Sequence, residues 1–173
     1  MRNLSTLLII LTFCGCIKNP ANKTIILNCY QKNKISKSTN LALRVDKKND
    51  TLIYFYRSIL DSVDTYAFVF SRNKIYDSII RIYENDCPLI EKKCITVENN
   101  EYEILKYYFD EKNLVDEEIS YFINWKYGLL VCYDDAWKNL SYTISYDKIS
   151  KQLIDSIKND KTGFYVNELP FTQ

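Results

Sequence analysis

The chain has 173 residues, with 23 basic against 22 acidic side chains, no histidine, and only three glycines and three prolines. That length suits one domain with a real core, and the charge balance speaks against nucleic acid as a partner, whose binding needs a clustered basic surface. The lack of histidine excludes Ser-His-Asp and Cys-His nucleophilic machinery, His-based zinc sites and an imidazole acid or base.

The chain opens on Arg2, an apolar run from Leu4 to Phe13, and then Cys14-Gly15-Cys16. A basic start, a short apolar stretch and a small residue before the break are the zones of an export signal. Such a stretch rises about 15 Å as a helix, half of a hydrocarbon core, and is too short for a permanent span. The segment resembles a bacterial lipoprotein signal peptide, with Phe13-Cys14-Gly15-Cys16 similar to a lipobox. That resemblance implies removal of residues 1–15, a lipid on Cys16, and membrane attachment through acyl chains rather than through the fold. An ordinary cleaved signal and an uncleaved helix are the alternatives. Ile17, in place of Asp, implies by the same resemblance the outer membrane of a cell envelope. Residues 16–23 are then a tether, and residues 24–173 one globular domain.

Period-two alternation dominates that domain. Strands are expected at Thr24–Tyr30, Leu41–Asp46, Thr51–Arg57 and Tyr66–Phe70, with the lysine-bearing stretch Gln31–Asn40 as a solvated loop. Ile75–Tyr83 fits either a strand or one helix face, and its β-branched content favours the strand. Cys94–Val97 and Tyr102–Asp110 flank a hairpin tip at Glu98-Asn99-Asn100-Glu101. Glu118–Asn124 and Gly128–Asp134 flank a second hairpin at Trp125-Lys126-Tyr127, where Gly128 suits a bulge or turn. Leu140–Tyr146 closes the series, and Phe164–Val166 is a candidate short strand. From Lys148 to Lys158 the residues Ile149, Leu153, Ile154 and Ile157 share one helix face behind an Asp147 N-cap. The expected fold is mainly β, of the α+β kind: an antiparallel sheet or meander covered by one C-terminal helix.

Export permits disulfides, and Cys29, Cys87, Cys94 and Cys132 remain once Cys14 is lost and Cys16 is lipidated. Cys87-Pro-Leu-Ile-Glu-Lys-Lys-Cys94 reads as a closed loop, which makes 87–94 the local pair and leaves Cys29 with Cys132. Buried free thiols are the alternative. Asp followed by Ser or Thr and an apolar residue occurs at Thr51, Ser62, Ser78 and Ser156. This resembles the O-glycosylation acceptor motif of exported Bacteroidota proteins. Asp-Ser and Asp-Thr also start turns and caps, the favoured reading for Ser156, which falls within the expected helix.

Fifteen tyrosines and eight phenylalanines suit strands and the residue bias of an AT-rich genome. No CxxC pair and no calcium-loop spacing occur, so no cofactor or metal is expected. The acid clusters Asp116-Glu117-Glu118 and Asp134-Asp135 read as solvated strand ends. The leading expectation is a non-enzymatic envelope lipoprotein that binds another envelope component or serves as an immunity or inhibitor factor. A carrier of apolar ligands with a cavity between sheet and helix comes second, and a carboxylate-dependent hydrolase third.

Overall fold

The computed structural model describes residues 23–32, 34–59, 66–73, 75–110, 118–137 and 140–165. Ten strands follow in chain order: β1 (Lys23–Gln31), β2 (Lys34–Lys48), β3 (Thr51–Ser58), β4 (Tyr66–Asn73), β5 (Ile79–Ile82), β6 (Asn85–Val97), β7 (Asn100–Phe109), β8 (Ile119–Asn124), β9 (Gly128–Asp134) and β10 (Leu140–Ser145). Each pairs antiparallel with the next, and β10 pairs back onto β1, so the meander closes into a barrel. One helix, α1 (Lys148–Lys158), follows β10. The fold is therefore mainly β with a single C-terminal helix, and closure leaves no long free edge. No helix among the described residues is long and apolar enough to cross a membrane.

Alternation along the strands sorts side chains into two separate cores. Ile25, Leu41, Tyr54, Tyr56, Phe70 and Ile80 join Leu105, Tyr107, Tyr121, Ile123 and Ile144 in a cluster that contains no helix residue and fills the barrel. The outer faces of β7, β8 and β9 present Ile104, Phe122, Leu130, Val131 and Tyr133 to Leu153, Ile154, Ile157 and Phe164. These side chains are almost wholly buried, so the space between sheet and helix is packed rather than hollow. Burying each such large apolar side chain contributes roughly 1.5–3 kcal/mol, and this second core is what holds α1 to the barrel.

Asp147 is the N-cap of α1: its side chain accepts from Ser150 N, while the Ser150 hydroxyl accepts from the Asp147 backbone. The distal half of the β6–β7 hairpin clamps the helix through Lys148–Glu98 at 2.7 Å and through Lys93, which engages Asp160 and Thr162. The tip of that hairpin is Glu98-Asn99, both at positive φ (50° and 62°), the left-handed geometry of a two-residue turn.

Four expectations differ from the structure. Gln31–Asn40 is no loop; Lys32 turns the chain at φ 51°, and the next residues form the first half of β2, an exposed strand braced by Ser36 Oγ donating to Cys29 O. Only Ile79–Ile82 of the 75–83 stretch is a strand, in ladder register with β4 and β6. The stretch from Cys87 to Cys94 lies within β6, where Cys87 pairs with Ile80 of β5 and Cys94 with Glu103 of β7. Phe164 sits in a bend packed against Phe122, 5.3 Å between ring centres, rather than in a strand. Val166 lies outside the described residues.

Candidate functional site

Strand direction alternates, so the barrel has two different ends. β1 starts at the near end, which also bears the β2–β3, β4–β5, β6–β7 and β8–β9 connections; the other connections lie at the far end.

The far end is apolar and aromatic at its rim. Ile35 beside the β1–β2 turn, Ile59 after β3, Tyr83 in the β5–β6 turn and Trp137 after β9 are each at least half exposed. Tyr83 is held at φ 51°, a conformation that bulky residues rarely adopt and that costs on the order of 1–3 kcal/mol. Its hydroxyl is pushed up by burial first and then by the nearby Cys132 thiol. Trp137 is positioned by its backbone N–H, which donates to Asp134 Oδ1 at 2.9 Å. Below the rim, Cys29, Phe68, Phe109, Ile119 and Tyr142 pack against the inner core while staying only partly buried. Burial first, then neighbouring thiols, raises the hydroxyls of Tyr121 and Tyr142. The lining is thus uncharged and polarisable at neutral pH, suited to an apolar ligand rather than to proton transfer.

At the near end, Tyr56 and Tyr146 meet across the interior with hydroxyls 2.6 Å apart. The Arg72 guanidinium lies 4.0 Å over the Trp125 ring, beside Tyr107, whose hydroxyl donates to Asp77 O. Arg72 points inward because it lies two residues beyond Phe70 on β4 and directly opposite the buried Ile80. On the outer wall of the barrel near this end, a recess of about 490 Å³ is lined by Thr51, Ser71, Asn73, Ser78, Arg81 and Asp86, side chains on the face of β3–β6 opposite to that of Arg72.

The cysteines stay apart. Cys87 and Cys94 are seven residues apart on one extended strand, about 23 Å, far beyond the roughly 7 Å that a disulfide spans. Cys29 and Cys132 both oppose Tyr142, from β1 and β9, so a whole strand separates them. All four thiols are free, and Cys87 and Cys132 are buried while Cys94 is exposed. The expected pairs 87–94 and 29–132 are therefore not formed, and the alternative of buried free thiols describes Cys87 and Cys132. Burial pushes the Cys87 thiol up to about 11 and raises Cys132 as well, which disfavours the nucleophilic thiolate. No group of three Cys, Asp or Glu side chains placed to hold a metal occurs among the described residues.

Thr51 and Ser78 come together at the near-end recess, Thr51 half-buried and Ser78 exposed. Ser156 lies within α1. Ser62, like Cys16 and the acids Asp116 and Glu117, lies outside the described residues. Of the remaining acids, Asp134 orients Trp137, and Asp135 accepts from Ser120 Oγ at 2.6 Å. Asp135 was expected to be solvated, yet burial raises its carboxyl against the pull of Ser120 and Lys106. Lys106, 1% exposed on the outer face, is lowered by its own burial and sits 5.7 Å over Phe122. These groups lie on the outer face beside Phe122, on which Phe164 and Tyr165 of the C-terminal bend pack.

Sequence reading missed Tyr83, Trp137 and Arg72. Arg72 alone had a signal, an arginine in phase with the inward Phe68 and Phe70 of β4. Comparison with protein-family models, with curated proteins and with solved structures finds no match to this chain.

Proposed function

We propose that this chain is an envelope lipoprotein, anchored through Cys16 and without catalytic activity, that binds a small apolar ligand at the far end of its barrel. The observation that carries the reading is Tyr83: a bulky residue kept at φ 51° on an exposed apolar rim completed by Ile35, Ile59 and Trp137. Backbone strain of this kind persists where the surroundings hold it, and it concentrates at ligand clamps. Barrel mouths with an apolar lining and few polar groups are common small-molecule sites. The carrier expectation thereby moves from the sheet–helix interface, which is packed, to the barrel mouth. Because β1 begins at the near end, a tether from Cys16 turns the far end away from the bilayer.

Titration with N-phenyl-1-naphthylamine tests the reading. Saturable fluorescence enhancement is expected, weakened at least tenfold in Tyr83→Gly. Glycine accepts φ 51° better than tyrosine does, so this variant removes the ring without penalising the fold. Linear, non-saturating enhancement, or equal binding by Tyr83→Gly, overturns the binding claim. Cys16→Ser tests the anchor separately: membrane fractionation unchanged by it would sink the lipid attachment alone.

A further inference from the structure

Tyr76 is 67% exposed in the β4–β5 connection, and the other exposed aromatic side chains among the described residues, Tyr83 and Trp137, belong to the far rim. The chain that carries Tyr76 is fixed on both sides. Ile75 N–H donates to Asn73 Oδ1 at 2.8 Å, Lys92 Nζ donates to the Asp77 carboxylate at 2.6 Å, and Asp77 O accepts from the buried Tyr107 hydroxyl at 2.7 Å. Ser78 O then accepts from Leu89 N–H of β6 at 2.8 Å. A large ring left in water on so constrained a backbone adds little to the fold. It is presented in place, and a contact made with it loses little further freedom.

Beside it lies a surface of hydrogen-bonding groups. Tyr76 also lines the outer recess of about 490 Å³, which falls in the size range of small-molecule sites. Ser71, Arg81 and Asp86 stand in one row across β4, β5 and β6, each the ladder partner of the next. Asn73 and its partner Thr51 share that face, since alternation returns to it every two residues. The Arg81 guanidinium and the Asp86 carboxylate meet at 2.8 Å, so the row carries no net charge. The hydroxyls of Thr51, Ser71 and Ser78 each offer one donor and two acceptors. With Asn73 Oδ1 taken by Ile75, its amide NH₂ adds donors.

These properties select a class of ligand. An anion meets a guanidinium that is already paired, a hard cation finds a single carboxylate, and an apolar molecule meets a polar surface. A sugar matches every part. Its hydroxyls need donors and acceptors interleaved, and the C–H face of a pyranose packs on an aromatic ring. Ile79, 51% exposed, widens the apolar edge beside Tyr76.

We infer that the outer recess binds a neutral saccharide, stacked on Tyr76 and hydrogen-bonded along the row of Ser71, Arg81 and Asp86. The site is on the outer wall, apart from the apolar mouth at the far end, and the two are filled independently.

The test adds chitotetraose, cellotetraose and maltotetraose separately to the ¹⁵N,¹³C-labelled full chain and follows the Tyr76 ring and Asn73 amide resonances. Saturable shifts of both are expected with at least one sugar at millimolar concentration, while Tyr83 and Trp137 stay unmoved. Tyr76→Ala should weaken the midpoint about tenfold, and Tyr76→Phe should retain it, because the ring face makes the contact rather than the phenol. Tyr76 stands largely in solvent, so neither variant threatens the fold. Tyr83→Gly should bind the sugar as the parent chain does, which separates this site from the apolar mouth. No saturable shift with any of the three sugars, equal binding by Tyr76→Ala, or saturation by inorganic phosphate in place of sugar overturns the proposal.

Discussion

Tyr56 and Tyr146, ninety residues apart in sequence, place their hydroxyls 2.6 Å from each other and close a ring of hydrogen bonds around the backbone of Leu129. Leu129 N–H donates to Tyr56 Oη at 3.1 Å, and Tyr146 Oη donates to Leu129 O at 3.3 Å, so Tyr56 donates to Tyr146. Pairing between β9 and β10 stops at Val131 opposite Thr143. Two residues on, Leu129 meets two phenols from elsewhere in the barrel. Burial holds both hydroxyls in the protonated form; the partner phenol adds to this at Tyr146 and opposes it, without prevailing, at Tyr56. The ring lets the barrel bend at this corner without orphaning backbone groups.

Removing one member should show its worth. Tyr146→Phe leaves Leu129 O and Tyr56 Oη short of a partner, and a loss of about 1–3 kcal/mol is expected. Gly128→Ala should cost more. A Cβ there would stand 2.5 Å from Tyr56 Oη and 2.9 Å from Tyr146 Oη, at a φ of 80°. Backbone strain and overpacking together amount to about 2–4 kcal/mol. Urea unfolding at constant m-value checks both, and losses within 0.5 kcal/mol would show that the ring does not hold the corner.

The helix cap makes a second prediction. Asp147→Ala should lower stability by about 1 kcal/mol, since the side-chain acceptor for Ser150 N–H disappears. Ser150→Ala should cost at least as much, about 1–3 kcal/mol, because this buried hydroxyl serves three backbone groups: Tyr146 N, Asp147 N and Asp147 O. Helix content measured at the unfolding midpoint distinguishes loss of α1 from global unfolding. A Ser150→Ala variant as stable as the parent chain would contradict the capping box.

How much of this was legible differs by element. The long alternating runs and the Asp147 cap announce themselves because local patterning and burial agree there. Closure does not, since it rests on the β1–β10 pairing, a contact between chain ends that no local pattern encodes. The Cys87–Cys94 segment misleads because proline and two adjacent lysines imitate a turn. In the structure Pro88 is exposed within β6, and a register shift follows between Leu89 and Glu91. Tyr83 was illegible for a different reason: tyrosine in a turn carries no sign that its φ is positive.

Acid should loosen the clamp on α1. Asp160 is 9% exposed, and burial raises its carboxyl. Hydrogen bonds from Lys93, Thr162 and Phe164 outweigh that and bring it to about 2. A carboxyl lowered by folding adds stability that is full above its unfolded value and is lost as pH falls through the folded one. The loss should therefore run from near pH 4 down to about 2. Asp160→Asn should be less stable at neutral pH and flat across that window. Carboxyl ¹³C titration should find Asp160 near 2 in the parent chain and higher in Lys93→Met. A parent value near 4 would refute the account.

The thiols give a last prediction, which concerns the interior rather than the surface. Cys94 is exposed on β6, whereas Cys87 and Cys132 are buried inside the barrel. Alkylation needs the thiolate and access to it. With Cys87 pushed up to about 11, only about one thiol in a thousand is ionised at pH 8. Iodoacetamide at pH 8, read by peptide mass spectrometry, should modify Cys94 within minutes and leave Cys87 and Cys132 untouched until the barrel opens. If an apolar ligand fills the far end, it should protect the partly buried Cys29 further while leaving Cys94 unaffected. Rapid labelling of Cys132 in the native chain would mean that the barrel breathes far more than its packed interior implies. A disulfide-linked, reducible mass joining the Cys87 and Cys94 peptides should not arise, because an extended strand of that length cannot bring the two cysteines together.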